Sequence, residues 1–395
     1  MNRLVWLAVA ICLVFTAGVV QSKQQGFRRN ITLEVNPGCK YNFGHANLVH
    51  LRAAGPHDTL HYVWSTIGVP TLLIIHSLSN ESKLVVNWAS SCGFSNQTPE
   101  AITVHPEKDV DISMALALTK LFEFDDANTT GNLTTATRVF PPYLLEDFLW
   151  DDVTHMVNCS THTATFSGHL KNASLNITVK GLETDGRDAS LPHLLHNANC
   201  SQFEVCISGF EPQGNYTRFA IELMLFNQVN NYSSDVVKSI DDEYTPTIFK
   251  VLSTTLRNED SQTYIQWKPV SYNKRLKNRE ASVPCKYYGG SSPDKKQEPN
   301  RTIAYIFYKG VLSHVQAFNI SFGIGKEDFY NVTNFISWTA LVGFGKPPLE
   351  SISELMFILI FVCLGLPALL LLLSIVLALW HQQQWHGYLP IGETH

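Results

Sequence analysis

The chain has 395 residues, a formal net charge of −5 at pH 7 and 45% hydrophobic residues. Basic residues gather at Lys268–Arg279, a run that in a cytosolic chain could be a nucleic-acid patch. Because the N-terminal segment predicts export to a compartment without DNA, we expect no nucleic-acid partner.

Residues 1–22 have the organisation of a secretory signal peptide. Arg3 is their single cation, an apolar run follows from Leu4 to Val20, and small residues surround a cleavage site near Gly18 or Ser22. An apolar run with these flanks is typical of a cleaved signal. An uncleaved signal anchor is the alternative, and N-terminal sequencing of the mature chain would distinguish the two.

Short alternating or apolar runs dominate residues 23–353. Runs of this kind, separated by Gly, Pro, Asn and Asp, predict strands and hence an all-β domain of packed antiparallel sheets. The predicted strands are Thr59–Trp64, Thr71–Ile75, Lys83–Trp88, Met114–Phe124, Leu175–Val179, Phe203–Ile207, Phe219–Phe226, Thr263–Trp267, Ile303–Tyr308 and Val315–Phe322.

One helix is predicted among these strands, at Pro141–Val153. Proline suits the first turn of a helix, and four hydrophobic side chains share one face. They are Leu144, Leu145, Phe148 and Leu149. Because about 330 residues is long for a single sandwich, we expect two β-sandwich-like lobes, residues 23–185 and 190–340, with the boundary in Gly181–Pro192.

The predicted domain is rich in sites for N-linked glycosylation. Fourteen of its 25 asparagines begin an Asn-x-Ser/Thr triplet, whereas chance would supply about four. We expect these positions to lie on loops or strand edges, because attached sugar must face solvent. They are Asn30, Asn80, Asn96, Asn128, Asn132, Asn158, Asn172, Asn176, Asn199, Asn215, Asn231, Asn300, Asn319 and Asn331.

Six cysteines lie in the same region and are candidates for three disulfides, because a secreted domain folds in an oxidising compartment. Their pairing stays open, since six cysteines allow fifteen connectivities. The spacings contain no CxxC pair and do not resemble a zinc site. The six are Cys39, Cys92, Cys159, Cys200, Cys206 and Cys285.

Catalytic signatures are absent from the sequence. It has no GxSxG, HExxH or GxGxxG motif, and Pro347 follows Gly345-Lys346 where a phosphate-binding loop needs Ser or Thr. The acidic group Glu123, Asp125 and Asp126 could perform acid–base hydrolysis, but a strand end often carries such a group. We expect no catalytic residues.

The histidine spacings could indicate metal ligands on a helix, with His155, His162 and His169 seven apart and His193 and His196 three apart. The first set lies in a Ser/Thr-rich segment that does not favour a helix, so solvated histidines are the preferred interpretation. We expect no metal and no cofactor. The basic run at Lys268–Arg279 indicates an exposed loop that could contact an acidic partner.

A membrane span is predicted over residues 354–380. Leu355–Trp380 contains no charged residue and exceeds the roughly 20 residues that cross a bilayer. Gly365 and Pro367 could kink the helix or allow close contact with another helix. With the signal peptide, this span predicts a type I protein whose residues 23–353 are luminal, and the orientation depends on that signal because residues 381–395 have no Lys or Arg.

The predicted cytosolic tail, residues 381–395, contains a tyrosine-based sorting pattern. Tyr388 and Ile391 are spaced as a tyrosine and a bulky aliphatic residue three positions later, and Gly387 precedes the tyrosine. A peptide of this form binds a clathrin adaptor in extended conformation, with the two side chains in separate pockets. Pro390 favours that conformation.

A family resemblance rests on three long stretches, TLHYVWSTIGVPTLLIIH, ALALTKLFEFDDANTT and ISWTALVGFGKPPLES. With them, essentially the whole chain resembles the glycosylated lysosomal membrane protein family. The resemblance implies a heavily glycosylated luminal accessory subunit that binds a lysosomal transporter of the major facilitator superfamily, which exports dipeptides, and shields it from proteases. The chain departs from the family in its tail, which lacks basic residues, and in Cys39 and Cys92, which would form an extra disulfide.

Two alternatives remain open at this point. A lysosomal hydrolase would use the acidic group Glu123, Asp125 and Asp126, and a cell-surface adhesion or receptor protein would not need Tyr388 to reach its location.

Overall fold

The computed structural model describes residues 27–39, 47–88, 99–227, 231–238, 248, 250–291, 300–311, 314–323, 329–349 and 358–385. The chain divides into two compact units, residues 1–348 and residues 349–395. The predicted signal peptide, Cys92, Asn96 and the sorting residues Tyr388 and Ile391 lie outside the described residues.

The first unit contains a sheet, called sheet 1, in which every pairing is antiparallel. Its strand order is β1-β2-β3-β4-β7-β17-β23-β22, and the short strands β8 and β9 pair beside β7. The strands are β1 (Asn30–Val35), β2 (Leu48–Ala54), β3 (Thr59–Ser65), β4 (Thr71–Ser77), β7 (Val110–Asp125), β8 (Arg138–Val139), β9 (Tyr143–Leu144), β17 (Thr217–Asn227), β22 (Ser282–Ser291) and β23 (His314–Phe322).

Sheet 2 is also antiparallel, in the order β12-β13-β16-β24-β20-β19-β18. The short strands β10 and β11 pair with β12, and β21 pairs with β24 and with β22 of sheet 1. The strands are β10 (Leu149–Trp150), β11 (Val157–Asn158), β12 (Thr163–Leu170), β13 (Ala173–Gly181), β16 (Cys200–Ser208), β18 (Tyr232–Lys238), β19 (Lys250–Arg257), β20 (Gln262–Trp267), β21 (Val270–Tyr272) and β24 (Phe335–Phe344).

The main core lies between the two sheets, because alternate residues of each strand face the other sheet. In β24, Ile336, Trp338, Ala340 and Val342 all join the same buried cluster as side chains from sheet 1. Aromatic rings meet across the layers, with Trp64 and Phe203 centroids 5.3 Å apart. The predicted all-β fold of antiparallel sheets is confirmed.

The outer face of sheet 1 is covered along part of its width by a hairpin and a short helix. The hairpin consists of β5 (Lys83–Trp88) and β6 (Pro99–His105), and the helix α1 is Ile303–Phe307. Together they bury a second apolar cluster against the sheet. The predicted strand at Ile303–Tyr308 is therefore wrong, because Thr302 caps a helical turn by accepting a hydrogen bond from the Tyr305 N–H.

The helix predicted at Pro141–Val153 is also wrong. The segment pairs with both sheets instead, as β9 against β7 and β10 against β12, with short 3-10 turns at Leu145–Asp147 and Val153–Met156. The hydrophobic side chains are still used, since Leu145 and Phe148 join the main core. Trp150 packs directly on Gly168, where a Cβ would come within 2.9 Å of the indole.

The boundary predicted at Gly181–Pro192 does not separate two lobes. Strands from its two sides pair along their lengths, as in β13 with β16 and β7 with β17. Residues 1–348 form one compact unit. The length that suggested two lobes is used for two wide sheets and for the layer outside sheet 1. The remaining small elements are β14 (Gly186–Arg187), paired with β15 (Leu195–His196), and helix α2 (Phe329–Thr333).

The second unit contains one apolar helix. Ile358–Gln382 is long and apolar enough to cross a membrane, which confirms the predicted apolar helix near the C-terminus. A π-helical turn, Phe361–Gly365, precedes the α-helical part α3, Leu366–Trp385. Pro367 has no N–H to donate within the helix, and a widened turn near it is a common accommodation.

Candidate functional site

The acidic group at the end of β7 is structural. Glu123 is buried and its carboxylate accepts hydrogen bonds from the Tyr143 hydroxyl at 2.9 Å and the Gln213 N–H at 2.6 Å. Asp125 accepts one from the Tyr216 N–H at 2.8 Å. These contacts fix the loop before β17 against β9, so both carboxylates act as acceptors for neighbouring segments.

Asp126 and Arg218 form a fully buried ion pair. Their side chains are 0% and 1% exposed, and Arg218 Nη1 lies 2.9 Å from Asp126 Oδ2. Asp126 also accepts from the N–H groups of Thr130 and Gly131. The pair anchors the loop at residues 126–137 over sheet 1, which accounts for the third acidic residue without any substrate.

The histidines with regular spacing do not come together in one site. His162 pairs with Glu183 at 2.9 Å, and His169 pairs with Asp151 at 2.9 Å. His193 and His196 contact backbone carbonyls in the segment after β13. Over the described ranges, no group of three or more His, Cys, Asp or Glu side chains could hold a metal ion.

A different set of histidines, missed in the sequence, is buried on sheet 1. His50 Nε2 lies 2.9 Å from His61 Nδ1, and His61 Nε2 lies 2.8 Å from Ser82 Oγ. Burial, and next the charge of Arg52, lower the pKa of His50 to about 3. Period-two alternation puts both histidines on the outer face of the sheet, but it does not say that this face is covered.

A third buried histidine, His76, contacts residues of both sheets at one end of the sandwich. His76 lies between Asp58 at 3.2 Å and Asp111 at 2.8 Å, and its ring stacks on Phe344 of β24 at 3.7 Å between centroids. Asp58 also binds Arg29 at 2.6 Å. Burial alone would raise the pKa of Asp58, but hydrogen bonds from His76 and Arg29 lower it to about 2. The carboxylate therefore stays ionised, and paired, at the pH of an acidic organelle.

The cysteines do not form the three predicted disulfides. Cys39 is disulfide-bonded, whereas Cys159, Cys200, Cys206 and Cys285 are free thiols. Cys200 and Cys206 are six residues apart on one strand, roughly 20 Å at 3.3 Å per residue, so they cannot reach each other. Cys285 belongs to the core between the sheets. The prediction is wrong for these four residues.

The basic run forms the exposed loop that the sequence predicts, with three of its five cations exposed, but its other two cations are engaged. Lys268 is only 2% exposed, and Lys277 pairs with Glu204 of β16 at 2.8 Å. The Arg275 guanidinium lies 5.6 Å from the centroid of the Phe335 ring. The run therefore forms a loop fixed against the outer face of sheet 2.

The sequon asparagines form the most extensive functional feature. Thirteen of the fourteen are described, and none of the thirteen is buried. They lie at strand ends, in turns, on outward strand positions of both sheets and, for Asn331, in helix α2. Nine are exposed, namely Asn30, Asn80, Asn128, Asn158, Asn172, Asn215, Asn231, Asn300 and Asn331, and four are half-buried, namely Asn132, Asn176, Asn199 and Asn319.

Asn199 makes contacts with distant residues in and next to sheet 1. Its side-chain oxygen accepts a hydrogen bond from Arg29 at 2.8 Å, and its backbone carbonyl accepts from the Tyr62 hydroxyl at 2.7 Å. The amide nitrogen of the side chain, the atom that carries sugar, is not used in either contact.

Comparison with known proteins identifies the family. The family model for glycosylated lysosomal membrane protein matches residues 47–385. The chain belongs to the glycosylated lysosomal membrane protein family. It is 36% identical over 405 residues to glycosylated lysosomal membrane protein B of Xenopus laevis, with 98% of each chain covered. It is 33% identical over 374 residues to the Homo sapiens protein, covering 92% of this chain and 91% of the relative, and 37% identical over 367 residues to the Danio rerio protein, with 88% of each covered.

Membership of this family establishes the location. The protein is a lysosomal membrane protein of single-pass type I topology, with a large β-rich luminal body and one C-terminal apolar helix. The relatives are named as membrane glycoproteins rather than as enzymes. The sequon-bearing surface is therefore the surface that faces the lysosomal lumen.

Proposed function

We propose that this glycosylated lysosomal membrane protein is a non-catalytic accessory subunit. Its partner is a lysosomal transporter of the major facilitator superfamily that exports dipeptides, and its role is to protect that transporter from resident proteases. The observation that carries the proposal is the distribution of sequon asparagines over both sheets with none of the described ones buried. A body covered in sugar on all these sides can shield a neighbour by steric exclusion.

The fold supports the same role. Proteases cut exposed or transiently opened segments, and the body consists mainly of long paired strands around one core. The three carboxylates that would suit a hydrolase hold loops in place, which favours the non-catalytic interpretation. Purified protein tested at acid pH on glycoside, ester and peptide substrates would reveal a hydrolase if there is one.

Deletion of the protein tests the proposal directly. We expect the transporter's half-life in lysosomes to fall, because its luminal loops become accessible, and we expect inhibitors of lysosomal proteases to restore it. Affinity purification in mild detergent followed by mass spectrometry identifies the companion. An unchanged transporter level after deletion would contradict the proposal.

We further propose that the tail directs the protein to lysosomes through a clathrin adaptor that binds Tyr388 and Ile391. Tyr388→Ala should move the protein to the cell surface, since the adaptor pocket for tyrosine is left empty. Gly392→Ala, just outside the pattern, is the matched control and should leave the distribution unchanged. If the Tyr388→Ala variant reaches lysosomes with normal efficiency, adaptor binding to Tyr388 is not what directs the protein there.

A further inference from the structure

A groove of about 890 Å³ crosses the outer face of sheet 2. Its floor is polar and comes from three neighbouring strands, with Thr165 on β12, Thr178 on β13 and Glu204 on β16. The Thr165 and Thr178 hydroxyls are 3.0 Å apart. Its volume is in the range of roughly 300–1,000 Å³ that is usual for ligand pockets.

Both walls of the groove are fixed to its floor. One wall is the loop around Asp188, whose carboxylate binds Lys180 of β13 at 3.1 Å and Gln202 of β16 at 2.7 Å. Burial would raise the pKa of Asp188, but hydrogen bonds from Ser190 and Gln202 lower it to about 2, so this anchor stays charged in an acidic lumen. The groove therefore has a preformed shape on this side.

The opposite wall is the loop that carries Arg275 and Lys277. Lys277 binds Glu204 at 2.8 Å and the Thr339 hydroxyl at 3.3 Å, while Arg275 lies over the Phe335 ring. Leu276, on the same loop, is 79% exposed. This wall offers charged donors, one aromatic ring and one apolar side chain to whatever occupies the groove.

Asn176 lies in the middle of the floor, on β13, the middle one of the three floor strands. Its neighbours across the sheet are Ser167 and Cys206. Among the described sequon asparagines, it is the one that lines this groove. Its Oδ1 atom is buried and has no hydrogen-bond partner within the described part of the chain, although buried acceptors are nearly always paired.

We propose that the groove seats the first sugars of an N-linked glycan attached to Asn176. The ligand class is the N-acetylglucosamine core, whose hydroxyl and acetamide groups match the hydroxyl, amide and charged groups of the floor and walls. Covalent attachment makes this contact intramolecular, so its effective concentration is high.

The position of Asn176 explains why the groove suits this occupant. Most of the other described sequon asparagines are exposed at turns and strand ends, where a glycan extends into solvent. A glycan on Asn176 must leave the sheet between two fixed walls, so it covers the polar face of sheet 2 itself. The sequon and the two walls converge on one site.

Asn172 provides a matched control on the same strand pair. It is exposed in the turn between β12 and β13, four residues from Asn176. Full-length protein in mild detergent is treated with peptide N-glycosidase F in heavy-oxygen water, and release at each asparagine is followed by mass spectrometry. We expect release at Asn172 to be at least about tenfold faster than at Asn176 in the native protein, because the enzyme must wait for local opening, and equal release after denaturation.

Two results would overturn the proposal without any variant. These are an unglycosylated Asn176 in the mature protein, and native release at Asn176 as fast as at Asn172. The variant Arg275→Ala then tests the wall: it removes the group over Phe335 but keeps the Lys277 anchor. We expect it to accelerate release at Asn176 several-fold and to leave Asn172 unchanged. If the glycan on Asn176 is released as slowly in this variant as in the wild type, the sheet rather than the groove wall protects it. That result would also overturn the proposal.

Discussion

The outer faces of the two sheets are built in opposite ways. Sheet 1 is covered by the β5–β6 hairpin and helix α1, which bury a continuous apolar cluster against it. Sheet 2 presents hydroxyl, amide and charged side chains along a groove with fixed walls. Both sheets contribute side chains to the core between them, so the main difference lies in what each outer face contacts.

This contrast separates stability from surface function. Burial of apolar area is the main favourable term in folding, and sheet 1 uses both of its faces for it. Sheet 2 buries most of its apolar area on its inner face and only a small cluster on its outer face, namely Leu182, Leu194, Cys200, Tyr264 and Leu341. Along the groove its outer face is left to polar contacts whose net contributions are small. Substitutions on the outer side of sheet 1 should therefore lower the unfolding free energy strongly. Similar substitutions along the groove of sheet 2 should instead affect the glycan attached to that surface.

The largest effect is expected at the buried ion pair outside sheet 1. Asp126→Asn leaves the Arg218 guanidinium buried without a charged partner, which should cost about 3–5 kcal/mol of unfolding free energy. Urea unfolding of the full-length protein, followed by tryptophan fluorescence, measures the cost.

The matched change outside sheet 2 is Glu204→Gln. It breaks the Lys277 pair, whose side chains are 10% and 26% exposed. Because water screens such a pair, the loss should be about 1 kcal/mol or less. Equal losses in the two variants would contradict the contrast between the faces.

The next effect is expected in the apolar cover of sheet 1. Ile303 is fully buried in helix α1, so Ile303→Ala should lower the unfolding free energy by about 2–4 kcal/mol through lost burial and a residual cavity. Leu276→Ala, in the exposed wall outside sheet 2, is the control and should change it by less than about 0.5 kcal/mol. A small effect at Ile303 would mean that helix α1 does not seal the cluster.

Acid pH should weaken sheet 1 through its buried histidines. The pKa of His50 is about 3 in the folded protein and about 6.5 in an unfolded chain. The unfolded chain therefore binds more protons between these values, and stability is lost as pH falls. Between pH 7 and about pH 5 the loss from His50 should be about 2 kcal/mol.

The variant His50→Gln isolates this contribution. It should lose less stability than the wild type over the same pH interval, whatever its stability at neutral pH. His57→Gln changes an exposed histidine in the neighbouring turn and should follow the wild-type pH dependence. Identical pH dependence in wild type and His50→Gln would show that His50 is accessible to protons in the folded state.

The strand runs that the sequence predicted were reliable, but they cover only nine of the 24 strands in the described residues. Nine of the ten predicted strand runs lie within observed strands, because period-two alternation directly reflects the two faces of a sheet. The exceptions share a cause. Pro141–Val153 and Ile303–Tyr308 are apolar segments whose secondary structure depends on where they dock, and that information lies in distant strands.

The functional features likewise divide into local sequence patterns and contacts between distant residues. The sequons and the apolar span could be identified from the sequence, since each is a local pattern. The groove, the His50–His61 pair and the Asp126–Arg218 pair could not. Each joins residues brought together by strand register, such as Asn176 beside Cys206, and no local spacing encodes that contact.

The smallest effect is expected on the floor of the groove, and it tests the contrast most closely. Thr165→Val removes one hydroxyl from the contact with Thr178 at 3.0 Å but keeps the shape of the side chain and the Asn176 sequon. Because both residues are half-buried and water can replace the lost partner, the unfolding free energy should fall by less than about 1 kcal/mol. A decrease in unfolding free energy above about 2 kcal/mol would mean that the outer face of sheet 2 behaves as a buried polar network. The proposed difference between the outer faces of the two sheets would then be wrong.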